Sequence, residues 1–153
     1  MNIKDKAIRL LIESDYNIIV TGKTGAGKTD LILNCNIPDS HYFDFVALTD
    51  IDWRKPGWLT EESFCDFLPQ ITHANEKTLI LDAVEFPDDL SGSKIVHLIK
   101  TARKSGKRLI IVAYPENARQ VLTLFDAVIH LEMSPGREYI TYSIKMATED
   151  TNE

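Results

Sequence analysis

Apolar residues recur along the chain in two rhythms. Short, β-branched runs occur at 16–20 (YNIIV), 43–48 (FDFVAL), 78–82 (TLILD), 108–113 (RLIIVA) and 127–132 (AVIHLE). Runs of that length bounded by turn residues predict buried strands. Between them apolar positions return every three or four residues, as on one face of a helix. Ile3, Ala7 and Leu11, joined by Ile8, Leu10 and Ile12, predict an amphipathic helix over 3–13. Leu31, Ile32 and Cys35 share a face in the stretch after the first strand. Thr60 reads as an N-cap with Glu61 and Glu62 in the first turn, followed by a stripe of Phe64, Phe67, Leu68 and Ile71, with Pro69 marking the helix end. Ile95, Leu98, Ile99 and Ala102 form a further stripe, with Lys100, Arg103 and Lys104 in its last turns and Gly106 beyond it, as the helix dipole and C-cap preferences ask. Ala118, Val121, Leu122 and Phe125 form the last.

Strands that alternate with helices predict an α/β domain of three layers, a mostly parallel sheet covered on both faces. The final run, EYITYSIKM at 138–146, follows the tight turn Ser134-Pro135-Gly136-Arg137 and is expected to fold back as an antiparallel C-terminal edge strand. Residues 1–147 read as a single domain, led by the helix in 1–14, and the polar, acidic 148–153 as a disordered tail.

Length and charge narrow the picture. A chain of 153 residues suits one domain with one sizeable core. A formal charge of −6 argues against coating nucleic acid by bulk electrostatics, so any DNA contact is expected to be local. Charges at Lys4, Asp5, Lys6, Arg9 and Glu13 break up the N-terminal apolar residues, so no signal peptide is expected there, and no run suits a membrane span. A cytoplasmic protein is expected. Cys35 and Cys65 lack Cys-x-x-Cys partners and read as reduced thiols. His41, His73, His97 and His130 show no ligand spacing and read as individual surface or core residues.

The chemistry concentrates in Gly22-Lys23-Thr24-Gly25-Ala26-Gly27-Lys28-Thr29, which matches G-x-x-x-x-G-K-[ST] at every fixed position, directly after a predicted strand and opening a predicted helix. The glycines let consecutive N–H groups turn inward as a nest for anionic oxygens, and the helix adds its positive end. Lys28 is expected to reach the β- and γ-phosphates of ATP and the Thr29 hydroxyl to ligate Mg²⁺. Such a loop calls for a carboxylate at the end of a neighbouring strand, aimed at the metal, and Asp82 closes TLILD.

With these two motifs and its strand order the chain resembles the P-loop NTPase superfamily over nearly its whole length. The run LIKTARKSGKRLIIVAYPENARQVLTLFDAVIHLE at 98–132 is similar to the segment after the Walker B strand in FtsK- and HerA-type, RecA-like ATPases, which include conjugation and packaging motors. That resemblance implies a Mg²⁺-dependent ATPase that translocates DNA as a homo-oligomer. It departs from the family's pattern twice. A catalytic glutamate usually follows the Walker B aspartate, where this chain has Ala83; Glu85, Asp50 and Asp52 are the candidate replacements. The polar sensor position holds Tyr114, before Pro115. Arg119 and Arg137 are candidates for an arginine offered to a neighbouring subunit. Lys100, Arg103, Lys104, Lys107 and Arg108 read as DNA-phosphate contacts or, more simply, as helix C-terminal charges, and Trp53 and Trp58 around Arg54-Lys55 as a stacking or partner surface or as loop anchors. Lys23, five positions before Lys28, also suits a ParA/MinD-like switch that binds ATP, hydrolyses it poorly and signals to a protein partner. No Asn-Lys-x-Asp guanine reader and no arginine-rich lid over 83–94 is present, which disfavours a GTPase and a small-molecule kinase.

Overall fold

The computed structural model describes residues 2–23, 25–44, 69–70, 72–84, 91–113 and 122–147. Helix α1 spans Ile3–Glu13, the stretch its periodicity predicts. The Asn2 side chain caps it, accepting the Asp5 N–H at 2.8 Å and so satisfying one of the amides that a helix start leaves without a partner. Helix α2 is Lys28–Cys35 and helix α3 is Ser91–Lys104, with Gly106 in the left-handed region at φ 73° just past its end.

Six strands make one sheet: β1 Ile18–Thr21, β2 Ser40–Asp44, β3 Thr78–Val84, β4 Arg108–Ala113, β5 Ala127–Met133 and β6 Ile140–Met146, in the order β2-β3-β4-β1-β5-β6. The first five are mutually parallel and β6 runs antiparallel beside β5 at the edge, as expected. The Ser134–Arg137 turn closes with the Arg137 N–H donated to Ser134 O at 2.9 Å, and Arg137 takes the left-handed conformation at φ 56°.

Alternation along the buried strands divides the core in two. Ile18, Val20, Ile80, Ile110, Val112, Ile129 and Leu131 face α1 and α2, where they meet Ala7, Leu11, Leu31 and Ile32. Ile19, Leu79, Leu81, Leu109, Ile111 and Ala113 face the other way, onto Leu98, Ile99 and Ala102 of α3 and onto Phe125. Period-2 strands between period-3.6 helices are the physical content of the three-layer α/β architecture. Each fully buried Leu or Ile contributes about 1.5–3 kcal/mol relative to exposure.

Several boundaries differ from the expectations: β3 runs on to Val84, β5 to Met133, and β6 starts only at Ile140. β1 starts at Ile18, not Tyr16, because the polar groups of Asn17 are spent across the sheet: its Oδ1 accepts the Leu109 N–H at 2.8 Å and its own N–H donates to Asp126 Oδ2 at 2.9 Å. β2 begins three residues before the apolar run at 43–48, since pairing with β3 recruits polar Ser40 and His41 at a sheet edge; residues 45–48 lie outside the described ones. Pro69, expected to mark a helix end, is itself helical: 69–70 and 72–73 are helical and the Ala74 N–H donates to Gln70 O at 2.9 Å. A proline lacks only its own N–H, so the bonds of later residues survive it. Of the last helical stripe, the described part is a single 3₁₀ turn at Leu122–Leu124, because Asp126 directly afterwards bonds Asn17 O and starts the approach to β5. Residues 60–68, Ile71, Ala118 and Val121 lie outside the described ones, as do Cys65 and the 148–153 tail.

No described helix is long and apolar enough to cross a membrane. Cys35 is a half-buried free thiol, and burial raises its pKa above the ordinary value, against a smaller opposing pull from Lys4.

Candidate functional site

The glycine-rich segment leaves the C-terminal end of β1 and runs into α2. Gly25 and Gly27 sit at φ 84° and 90°, a region that side chains with a Cβ rarely enter. Gly22 needs its hydrogen for a different reason: a Cβ there would lie 2.7 Å from the Leu131 carbonyl oxygen of β5. The Ala26 N–H donates to Lys23 O at 3.0 Å and closes the loop, and the first α2 bond runs from the Leu31 N–H to Gly27 O at 2.9 Å. The loop is thus a backbone cradle at a helix start, the arrangement that suits anionic oxygens. Thr24 lies outside the described residues.

Lys28 opens α2 and is nearly buried, at 8% exposure. Its Nζ donates to the carbonyls of Gly22 and of Lys23, the latter at 3.0 Å, so the ammonium rests inside the loop. Thr29, next along, donates its Oγ1 hydroxyl to Asp82 Oδ2 at 2.8 Å. The two residues are 53 apart in sequence, and their bond joins the loop to β3. Asp82 itself is only 4% exposed. Its Oδ2 accepts a second hydroxyl, that of Tyr42 on β2, a residue for which no motif signalled a role.

The sheet explains how Asp82 reaches the loop. β4 lies between β1 and β3, so the carboxylate must span a strand. The β3–β4 register runs regularly from Thr78↔Arg108 to Leu81↔Ile111 and resumes at Val84↔Ala113. Asp82 and Ala83 therefore stand opposite Val112 alone, at a bulge that redirects the strand and the side chains it carries. Ala83 is the residue where the resemblance would place a glutamate. On the other side of β1, Thr21 Oγ1 and His130 Nδ1 of β5 are 2.8 Å apart, so His130 borders the loop without belonging to a described cluster of metal-ligating residues.

Other expected participants fall elsewhere. Glu85, Asp50, Asp52, Tyr114, Pro115, Arg119, Trp53 and Trp58 lie outside the described residues. Arg137 is exposed on the turn after β5, at the same end of the sheet as the loop. Lys23 is exposed in the loop itself. The basic cluster divides: Arg108 is buried, with Nε donating to Thr78 Oγ1 at 2.9 Å and the guanidinium reaching the carbonyls of Leu10 and Leu11, while Lys107 Nζ donates to Glu76 O at 2.9 Å. Arg103 pairs loosely with Asp126 at 3.9 Å, and Lys100 and Lys104 are exposed. Burial lowers the Arg108 pKa from its ordinary value, with Asp15 pulling the other way.

No family model matches the chain, and no curated protein matches it in sequence. Among solved structures, the crystal structure of a DNA replication initiation factor is 16% identical and superposes with a TM-score of 0.48 over 88% of this chain and 46% of its own length. A structure of Pif1 helicases described as unwinding forked double-stranded DNA is 13% identical, with a TM-score of 0.42 over 86% of this chain and 43% of its own. The chain spans less than half the length of either. At that level of agreement the likeness says nothing about activity.

Proposed function

We propose that this chain binds ATP with Mg²⁺ as one P-loop nucleotide-binding domain and hydrolyses it, as a Mg²⁺-dependent ATPase resembling the DNA-translocating motors. The observation that carries the reading is the hydrogen bond from Thr29 to Asp82, which brings the end of the phosphate loop and a buried carboxylate to one point.

The residues fit the nucleotide. A cradle that a Cβ would obstruct at Gly22 and strain at Gly25 and Gly27 suits phosphate oxygens. A hydroxyl and a carboxylate are hard oxygen donors, the kind Mg²⁺ takes alongside substrate phosphates. Among the described residues no group of three or more His, Cys, Asp or Glu could hold a metal alone, which agrees with a cation shared with the substrate. Bound Mg²⁺ would neutralise charge on the transferred phosphoryl group. Lys28 would exchange its loop carbonyls for phosphate oxygens, Thr29 would offer a lone pair to the metal, and Asp82 would hold Thr29 and the metal's water shell.

A second reading rests on Ala83. With no carboxylate beside Asp82 to orient the attacking water, the chain would bind ATP, turn it over slowly and act as a nucleotide-dependent switch on a protein partner. DNA contact and translocation by a homo-oligomer belong to the motor reading; a cytoplasmic setting is common to both readings. The test is phosphate release from MgATP, with and without DNA, alongside Lys28→Ala. Turnover that DNA stimulates and Lys28→Ala abolishes is the result expected of a motor. Nucleotide binding without turnover above the variant would favour the switch, and no binding at all would overturn both.

A further inference from the structure

The geometry points to Tyr42 as a positioning residue for the metal-facing carboxylate, on the reading of the site proposed above. Tyr42 belongs to the edge strand β2, outside the phosphate motif. Register pairs it with Ile80, so its side chain shares a sheet face with Asp82, two residues further along β3. Its hydroxyl donates to Asp82 Oδ2, the same oxygen that accepts Thr29 Oγ1.

Two features make this bond more than packing. First, Asp82 stands at the bulge, where the β3–β4 ladder is interrupted, so regular pairing to β4 does not by itself set the carboxylate's direction. The phenol supplies an anchor from the opposite neighbour strand. Second, a carboxylate exposed by only 4% depends on donors for its stability. Thr29 has one hydroxyl proton to give, and its commitment changes whenever the hydroxyl turns. Tyr42 donates to the same oxygen from a different strand, so Asp82 keeps a hydroxyl donor when Thr29 turns away. Asp82 is thereby ready for a cation before the cation arrives, and β2 becomes part of the site.

Tyr42→Phe keeps the ring and removes only the donor. The probe is N-methylanthraniloyl-ATP, titrated in EDTA and then against increasing Mg²⁺, for the wild-type chain, Tyr42→Phe, Asp82→Ala and the double variant. Tyr42→Phe is expected to bind the nucleotide normally in EDTA but to need about tenfold more Mg²⁺ for half of the metal-dependent gain, the size of effect of one charge-assisted hydrogen bond. In the Asp82→Ala background, which leaves the phenol no acceptor at this position, the same change should shift nothing further, because Tyr42 acts through Asp82. A purely packing role would lower the melting temperature and leave the Mg²⁺ midpoint in place, which would overturn the proposal. Should Tyr42→Phe fail to fold, hydrogen exchange on the wild-type chain decides: the amides of residues 41–44 must gain protection with MgATP beyond that with ATP in EDTA, and equal protection counts against Tyr42. If the wild-type chain binds nucleotide with no response to Mg²⁺, the metal-site reading itself fails and the role of Tyr42 with it. A normal wild-type response that Tyr42→Phe leaves unchanged removes the Tyr42 role alone.

Discussion

Four residues of the glycine-rich loop are fixed by three different reasons. Gly25 and Gly27 are glycines because of their backbone angles, Gly22 because β5 passes behind it, and Lys28 because its chain is long enough to fold back onto two carbonyls. The middle case is the most testable. Gly22→Ala would force a methyl to within 2.7 Å of the Leu131 carbonyl, a backbone atom that moves only with its strand. Overpacking of this kind costs about 1–3 kcal/mol. Thermal unfolding should show that loss, and nucleotide titration should show weakened binding, whereas Gly106→Ala, with open space around its Cβ, should cost only its backbone strain and leave binding intact. Sequence spacing identified Gly22 without revealing why it must be glycine. Leu131 is 109 residues away, and only the β1–β5 pairing makes the two neighbours.

Among the elements, α1 illustrates how a helix with a clear sequence signal is tied to the rest. Its N-terminus is satisfied by Asn2 locally, but its C-terminal carbonyls at Leu10 and Leu11 are satisfied by Arg108, the first residue of β4. A cation there also complements the helix dipole. The same guanidinium donates to Thr78 Oγ1 at the start of β3, so one side chain ties a helix to two strands. Arg108→Met keeps much of the aliphatic packing and removes the guanidinium donors to Leu11 O and Thr78 Oγ1, while Leu10 O keeps the Ser14 hydroxyl. It should destabilise the chain by about 3 kcal/mol in a urea titration. Native-state hydrogen exchange should accelerate in α1 more than in α3, because the lost bonds belong to α1. The basic cluster around Arg103 is thereby divided: its most buried member, Arg108, ties elements of the fold together, and Lys100, Arg103 and Lys104 are its exposed members.

For the whole molecule, the site is a product of sheet order. The loop leaves β1, the carboxylate comes from β3 two strands away, and its second hydroxyl donor comes from β2 at the edge. A ligand that engages these together binds only the folded chain and must raise its stability. At a hundred times its dissociation constant the gain is about 2.7 kcal/mol. A chain of this size should then melt roughly 5–10 °C higher. Differential scanning fluorimetry with MgATP is the check. On the proposed reading the same ATP in EDTA should yield a smaller shift, because Thr29 and Asp82 would then have no metal to hold.

What the sequence determined by itself was whatever depends on near neighbours along the chain. The helix at 3–13, the strand at 108–113, the phosphate loop and the turn before β6 follow from periodicity, glycine freedom and turn chemistry, all of which act within about a dozen residues. A carboxylate near the end of the TLILD strand was legible as well; that it meets the Thr29 hydroxyl was not. Tertiary structure alone decided what depends on pairing. Asn17 trades its place in a strand for bonds to Leu109 and Asp126, β2 starts at polar Ser40 because β3 offers a ladder, and the bulge at Asp82 and Ala83 exists only relative to β4. Tyr42 is the clearest case. Nothing in SHYFD marks a tyrosine for chemistry; its hydroxyl acquires a role because two strands 40 residues apart in sequence align in one register and turn it toward the carboxylate that Thr29 already holds.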